Sequence, residues 1–521
     1  MEKTQENNVR LLKKWQKGLF NLLFSRITLV IPLLLLQFAV LFSVLFWLED
    51  FLPHMIGAQF AVIFCMVLHL LNGELDPTAK ITWLILIMAM PVFGSLLYLF
   101  SLKEIGQRTM RKYVGSKITD TSRLLPLSED ILAGLDRARP GAASMARYVY
   151  KNGGYPVFQN TDVRYFPCGE AKFEQLLKEL EKAEKFIFLE YFIVEEGQMW
   201  GQILDILIRK AAQGVDVRIL YDGTCEFLLL PKGYDKKLSA FGIQCKVFSP
   251  FTPFLSTHYN YRDHRKIAII DGHTAFTGGI NLADEYINVR PRYGHWKDTA
   301  VMLKGEAVNG LTLMFLQNWT LGNKNADISP FLISKKTPSA GFIMPYGDNP
   351  MDSQRVGQQV YMDMLSRAQK SVCIMTPYLI LDAEMENLLK YTAARGVCVQ
   401  LILPGIPDKV IPYAMARTHY EALINAGVEI YEYTPGFVHA KVFLCDGQEA
   451  VVGTINLDYR SLYHHFECAA YLCGCPCLVD IAADFAKTLS VCRQIDRDSL
   501  KKIPRWHIAL GKILKPFAPL M

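Results

Sequence analysis

Charged residues vanish from the chain between Ile27 and Leu48, where the run "ITLVIPLLLLQFAVLFSVLFWL" holds no Asp, Glu, Lys or Arg. As a helix it would extend about 33 Å, the thickness of a bilayer core. No small-residue cleavage site follows, so the pattern predicts a retained membrane span. Two further apolar segments start at Met55 and Ile81. The one from Ile81 predicts a crossing despite Pro91 and Gly94, while the shorter one from Met55 either crosses or lies in the interface. Lys3, Arg10, Lys13, Lys14, Lys17 and Arg26 precede this block, and Lys103, Arg108, Arg111, Lys112 and Lys117 follow it. Basic flanks stay on the cytoplasmic side, which three full crossings cannot satisfy, so one segment is expected to be re-entrant or interfacial unless the rule is broken here.

Past a basic, helical connector to about Tyr150, the periodicity changes to alternating helix and strand patterns, and it does so twice. "LEKAEKFIFLEYFIV" from Leu180 overlays "LSRAQKSVCIMTPYLIL" from Leu365, each a helix end followed by a β-branched and aromatic strand. "KAAQGVDVRILYD" overlays "YTAARGVCVQLILP", each a helix closed by Gly214 or Gly396 and followed by a nearly all-apolar strand. The third matching pair is "HRKIAIIDGHTAFTGGIN" from His264 and "HAKVFLCDGQEAVVGTIN" from His439. An internal duplication is expected, giving an α/β fold of two similar lobes about a pseudo-two-fold axis. The boundaries read as a basic segment 1–26, a membrane anchor 27–102, a connector 103–154, a first lobe 155–335, a second lobe 336–500 and an amphipathic tail 501–521.

Composition narrows the class. The hydrophobic share is 51% over 521 residues, with the excess near the N-terminus, and a net charge of +6 suits work near anionic lipid but lacks the basic bias of a nucleic-acid binder. The 12 cysteines are scattered through apolar runs, which fits a reducing compartment and argues against a disulfide framework. Cys473, Cys475 and Cys477 lack CxxC spacing and a second ligand pair, so no metal is expected there.

The chemistry lies in the repeated run. If it is a strand, His264 and Lys266 share a face, as do His439 and Lys441. An ammonium beside an imidazole makes a phosphate site, with the lysine supplying charge and the histidine able to attack phosphorus or move a proton. Asn281 and Asn456, after their glycine turns, can add amide donors to phosphoryl oxygens. Two such sites facing each other would bring two histidines to one phosphorus in line. Asp271 and Asp446 complete the motif, yet a carboxylate followed by Gly at a strand end is expected to fix the turn rather than react.

The double run His-x-Lys-(x)4-Asp-(x)6-Gly-(Gly/Thr)-x-Asn resembles the signature of the phospholipase D superfamily. With "HWKDTAVMLKGEAV", "FLQNW", "GTINLDYRSLYHHFE" and the N-terminal apolar segments, the chain is similar to the membrane-anchored bacterial cardiolipin synthases. That resemblance implies a phosphatidyltransferase: one phosphatidylglycerol gives its phosphatidyl group to a histidine, releasing glycerol, and a second takes it up to form cardiolipin. It implies His264 as nucleophile, His439 as acid and base, and Lys266, Lys441, Asn281 and Asn456 as phosphate holders. Asp298 of "WKD" and Glu467 match the carboxylates that orient the histidines. The family often has Asn where His465 stands here. No metal or organic cofactor is implied, and the partners are membrane phospholipids. The expected location is the bacterial cell membrane, multi-pass, with the catalytic lobes on the cytoplasmic face. Sister readings remain open: another phosphatidyltransferase or a lipid hydrolase of the same superfamily, and, from a different class, an inactive membrane scaffold. "SPFTPFLSTHYNY" places Phe251, Phe254 and Leu255 either in the membrane interface or beneath the lobe junction. The C-terminal tail suits either the membrane surface or docking on the catalytic lobes.

Overall fold

A computed structural model describes residues 32, 34–39, 42, 43, 52–73, 75–102, 105–249, 261–321, 326–352 and 354–520. The chain divides into two compact units, one comprising 15–110 with 252–259 and 512–521, the other the remainder.

The larger unit contains two sheets built to one plan. In the first half the strands are β1 Thr161–Phe166, β2 Phe186–Tyr191, β3 Asp216–Asp222, β4 Gln244–Phe248, β5 Arg262–Asp263, β6 Lys266–Ile270, β7 Thr274–Gly278, β8 His295–Lys297 and β9 Ala300–Gly305. The second half contributes β10 Phe342–Asp348, β11 Ser371–Met375, β12 Cys398–Pro404, β13 Glu429–Tyr433, β14 Gly436–Val438, β15 Val442–Cys445, β16 Glu449–Gly453, β17 His465–Cys473 and β18 Cys492–Ile495. The first sheet runs β1-β9-β7-β6-β2-β3-β4, and the second runs β10-β17-β16-β15-β11-β12-β13 with β18 added at its edge. Pairing directions match strand for strand: β2–β3–β4 and β11–β12–β13 are parallel, the others antiparallel. The duplication read from sequence is therefore a duplication of topology. Gly214 and Gly396 close their helices at φ +90° and +91°, a conformation that costs little only without a Cβ.

The lobes are joined by exchanged strand pairs. β5 of the first lobe lies parallel to β17 of the second, pairing Asp263 with Phe466. Reciprocally, β14 of the second lies parallel to β8 of the first, pairing Val438 with Lys297. One continuous apolar core spans both sheets and takes in Leu132, Leu135, Ala146 and Val149 of the connector. The connector is further fixed by Arg139, which is buried and reaches Asp446 at 2.7 Å and Glu449 at 2.8 Å.

In the smaller unit, helices Leu52–Asn72, Pro77–Ala89 and Pro91–Leu102 pack around Met66, Leu70, Ile87 and Tyr98. The apolar run from Ile81 is not one straight crossing. Met90 leaves the helix at φ −140°, ψ 76°, because Pro91 has no N–H and its ring disfavours a helical residue before it. The chain doubles back, and Gly94 permits the close return: a Cβ there would lie 2.7 Å from the carbonyl oxygen of Leu86. Gln37 accepts the Phe93 N–H at 3.1 Å, one of the groups that the new helix start leaves without a partner. Most of the expected span 27–48 lies outside the described residues, and among the described residues no helix is long and apolar enough to cross a membrane. Phe251, Phe254 and Leu255 also lie outside them. The tail is divided between the units: His507 bonds Arg417 at 3.0 Å and Gly511 packs on Ala414 of the second lobe, whereas Lys515–Leu520 lies against helix Pro77–Ala89.

Arg139→Ala should destabilise the protein by about 3 kcal/mol, the low end for a broken buried pair. Arg367 and Tyr471 still hold Glu449, which limits the loss. Urea unfolding of the full chain measures it; a change of under about 1 kcal/mol, as for a surface pair, would show that Arg139 does not anchor the connector.

Candidate active site

His264 occupies the break between β5 and β6, and its N–H bonds the Phe466 carbonyl at 2.9 Å. His439 follows β14, and its N–H bonds the Lys297 carbonyl at 2.7 Å. The exchanged strands thus carry each histidine alongside a carboxylate from the opposite lobe. His264 Nδ1 lies 2.9 and 3.0 Å from the two oxygens of Glu467, and His439 Nδ1 lies 2.7 Å from Asp298 Oδ2. Both carboxylates have no exposed surface. An ionised carboxylate only accepts, so each Nδ1 carries the hydrogen and each Nε2 keeps its lone pair.

The two carboxylates are supported differently, and the motif explains why. Gly279 and Thr454 are equivalent positions. A Cβ on Gly279 would sit 2.0 Å from Asp298 Oδ1, so the short aspartate fits only because that position is bare. Asp298 takes a further bond from the Thr299 N–H at 2.8 Å. In the other half Thr454 uses its hydroxyl, donating to Glu467 Oε2, and Ser461 donates to Oε1 at 2.7 Å. Burial disfavours charge on Glu467, but His264 and, after it, His465 hold it well below the usual carboxylate range. Asp298 is less well served, and burial pushes it up to about 6 against the pull of Lys441. Burial drives both imidazoles well below their ordinary value, Glu467 opposing this at His264 and Lys441 and Lys266 reinforcing it at His439. Each is a neutral ring donating to its carboxylate.

Lys266 and Lys441 are almost completely buried, and each donates to the carbonyl of its own motif histidine. Desolvation lowers Lys266 to about 8 and Lys441 to about 7; Asp298 and Glu467 both favour their charge. The field of each lobe therefore reaches the lysine of the other. Asn281 spends one amide N–H on Tyr286 Oη at 2.7 Å and its oxygen on the Ile193 N–H at 3.1 Å, which leaves one donor. Asn456 Nδ2 reaches Asp458 at 3.3 Å.

Asp271 and Asp446, counted with the motif, are not brought to this centre. They lie beyond the far ends of β6 and β15 at φ 52° and 54°. Asp271 accepts the N–H groups of Glu184, Lys185 and Phe186; Asp446 accepts those of Gln369, Lys370 and Ser371 and the Arg139 guanidinium. Though part of the motif, they are not among the reacting groups: they lock the turns before β2 and β11. Sequence reasoning missed Thr454 and Ser461, although the Gly/Thr difference between the copies was a visible signal. It also missed Tyr286 and Trp296, whose rings stand 5.4 and 5.3 Å from that of His439, and Arg265, buried against Glu190 and Asp263.

Comparison with known proteins places this geometry. Residues 176–307 and 361–488 match the family described as cardiolipin synthase, PLD-like domain, and residues 60–101 match that described as phospholipase D-nuclease N-terminal. A cardiolipin synthase of Alkalihalophilus pseudofirmus is 32% identical over 93% of this chain and 98% of its own length. An uncharacterized protein of Streptococcus mutans is 50% identical over 87% of this chain and 99% of its own. In fold, the phosphatidylserine synthase of Haemophilus influenzae superposes with a TM-score of 0.54 at 14% identity, over 69% of this chain and 93% of the other.

Burial leaves Lys441 largely uncharged above about pH 7 and Lys266 partly so near pH 8, so an anion bound beside them draws protons onto them. At pH 8 vanadate should bind with net proton uptake, since burial leaves Lys441 mostly neutral above about 7 and a bound oxyanion restores its proton. Calorimetry in buffers of different ionisation enthalpy reads the uptake. It should shrink towards pH 6, and Lys441→Met should reduce it to the share of Lys266 and lose most of the affinity; uptake independent of pH would rule out desolvated lysines.

Proposed function

Since the chain belongs to the cardiolipin synthase family with paired PLD-like domains, we propose that it transfers a phosphatidyl group from one phosphatidylglycerol to another, yielding cardiolipin and glycerol. The observation that carries the reading is the reciprocal clamp: two histidines, each fixed through Nδ1 by the other lobe's carboxylate and each keeping Nε2 for substrate.

His264 Nε2 attacks the phosphorus of the first phosphatidylglycerol, and the phosphorus–oxygen bond to glycerol breaks. His439, protonated in the presence of the anionic diester and stabilised by Asp298, gives its Nε2 proton to the departing alkoxide. The phosphatidyl group now rests on His264, whose positive charge Glu467 balances. Neutral His439 then takes the hydroxyl proton of a second phosphatidylglycerol; its oxygen attacks phosphorus and His264 leaves. Lys266, Lys441, Asn281 and Asn456 hold the non-bridging oxygens, where charge builds up. His264 is the better nucleophile of the pair because Glu467, with its two hydroxyl donors, stays ionised and can balance an imidazolium in a buried site. Water in place of the second alcohol would make the enzyme a hydrolase on the same residues.

The location we propose is the bacterial cell membrane, with residues 27–102 as anchor and the catalytic lobes in the cytoplasm. The reversal at Met90–Pro91 supports this arrangement, because a segment that turns back lets both basic flanks stay on one side. The division into anchor, connector, two lobes and tail remains the working domain assignment.

Purified protein supplied with phosphatidylglycerol in detergent should release cardiolipin and free glycerol, identified by mass. Phosphatidic acid as the sole product would make it a hydrolase, and the absence of turnover would favour a scaffold. His264→Ala and His439→Ala should each lower the rate by about 10^3-fold or more, and only His264→Ala should abolish the trapped phosphoenzyme; a label on His439 would reverse the assignment. For topology, exposed Cys398 and a cysteine placed at exposed Ala133 should resist a membrane-impermeant maleimide in intact cells and react after lysis. Peptides labelled before lysis would place the lobes outside.

A further inference from the structure

His465 is a buried imidazole that the transfer scheme leaves without work. It opens β17, exposes only 6% of its surface, and among the described residues neither ring nitrogen makes a hydrogen bond. Burying an imidazole without partners is costly. Its ring centroid lies 5.2 Å from that of His264, and its Nδ1 stands 3.4 Å from Glu467 Oε1, the oxygen that His264 Nδ1 meets at 2.9 Å. His264, His465 and Glu467 present three ligand atoms within 4.8 Å of one another, all buried. Two imidazoles and a carboxylate are a donor set that holds zinc and other divalent transition-metal ions. Among the described residues no such set surrounds His439, whose ring neighbours are Tyr286, Trp296 and Phe437.

We propose that His264, His465 and Glu467 form an inhibitory site for a zinc-like divalent transition-metal ion. Tetrahedral coordination with bonds of about 2.0–2.1 Å sets ligand atoms about 3.3 Å apart, so separations of 2.9 and 3.4 Å call for small adjustments. Metal bound at His264 Nδ1 takes up that nitrogen's electron pair, and the ring's single proton passes through solvent from Nδ1 to Nε2. The ring stays neutral, and Nε2, now protonated, has no lone pair for phosphorus. The ion is not a cofactor: it holds the ring in the unreactive tautomer, and removing it restores the reactive one. The inhibitory consequence rests on the reading of His264 as nucleophile, whereas the binding itself does not.

The full chain in detergent, stripped with chelator, loaded with zinc sulfate and desalted, should retain one zinc per chain. X-ray absorption should show two imidazole nitrogens with oxygen. Turnover should fall on zinc addition, with the loss in kcat, and return with EDTA. His465→Asn should still turn over but lose at least about 100-fold in zinc affinity and become insensitive to the ion; His465→Gln serves if the first variant misfolds by circular dichroism. Zinc kept by both variants, or absent from the wild type, overturns the site. Sulfur ligation would move the ion to Cys473, Cys475 and Cys477 and overturn it equally. Stoichiometry and ligand type are read without turnover, so a protein that failed to make cardiolipin would leave this result standing. Zinc seated on the three residues with turnover untouched would overturn the inhibitory role.

Discussion

Each histidine of the centre is held by a carboxylate that belongs to the other half of the chain, and the rest of the site depends on that exchange. A buried imidazole needs an acceptor at Nδ1 to fix its tautomer, and neither lobe supplies one for its own histidine. Strand β5 pairs with β17 of the second sheet and β14 with the short strand β8 of the first half, and the hydrogen bonds of His264 to Phe466 and of His439 to Lys297 set the register that brings Glu467 and Asp298 within reach. A single lobe would carry a phosphate pocket with a loose, unoriented ring. Each half-site is thus completed by the other half, and the continuous core beneath both sheets keeps the two halves from separating.

Burial sets the energetics. Two lysines and two carboxylates in a dry pocket partly cancel, yet Lys266 and Lys441 still sit at about 8 and 7, so the centre readily gains charge beside an anion. The halves are not identical. A bare Gly279 admits the shorter Asp298, whereas Thr454 and Ser461 brace the longer Glu467, which His264 and His465 keep more firmly ionised than Asp298. This difference suits the two histidines to the different roles proposed for them on one symmetric frame.

Much of this was legible in the sequence because it is local. The spacing of His264 to Lys266, the glycines closing helices and the paired strand patterns are short-range features with direct physical causes, and the two lobes follow from their repetition. The exchange of strands was not legible, since it joins Asp263 to Phe466 and Val438 to Lys297 across most of the catalytic chain, and no periodicity records such a pairing. The apolar run from Ile81 read as one crossing because hydropathy alone does not weigh what Pro91 does to Met90. His465 looked like a simple departure from a family pattern; its missing hydrogen bonds become visible only when the neighbours are placed. The motif aspartates show the reverse case, where a residue's place in a signature reflects a turn and not a reaction.

The clamp itself is open to direct observation. In protein labelled with nitrogen-15 histidine, the Nδ1–H protons of His264 and His439 should appear as two separate downfield resonances, sheltered from exchange by burial. Glu467→Gln should shift or remove the His264 signal alone, and Asp298→Asn the His439 signal alone. Loss of the His439 resonance in Glu467→Gln, or indifference of both signals to both changes, would mean that the lobes do not exchange carboxylates and would contradict this account at its base.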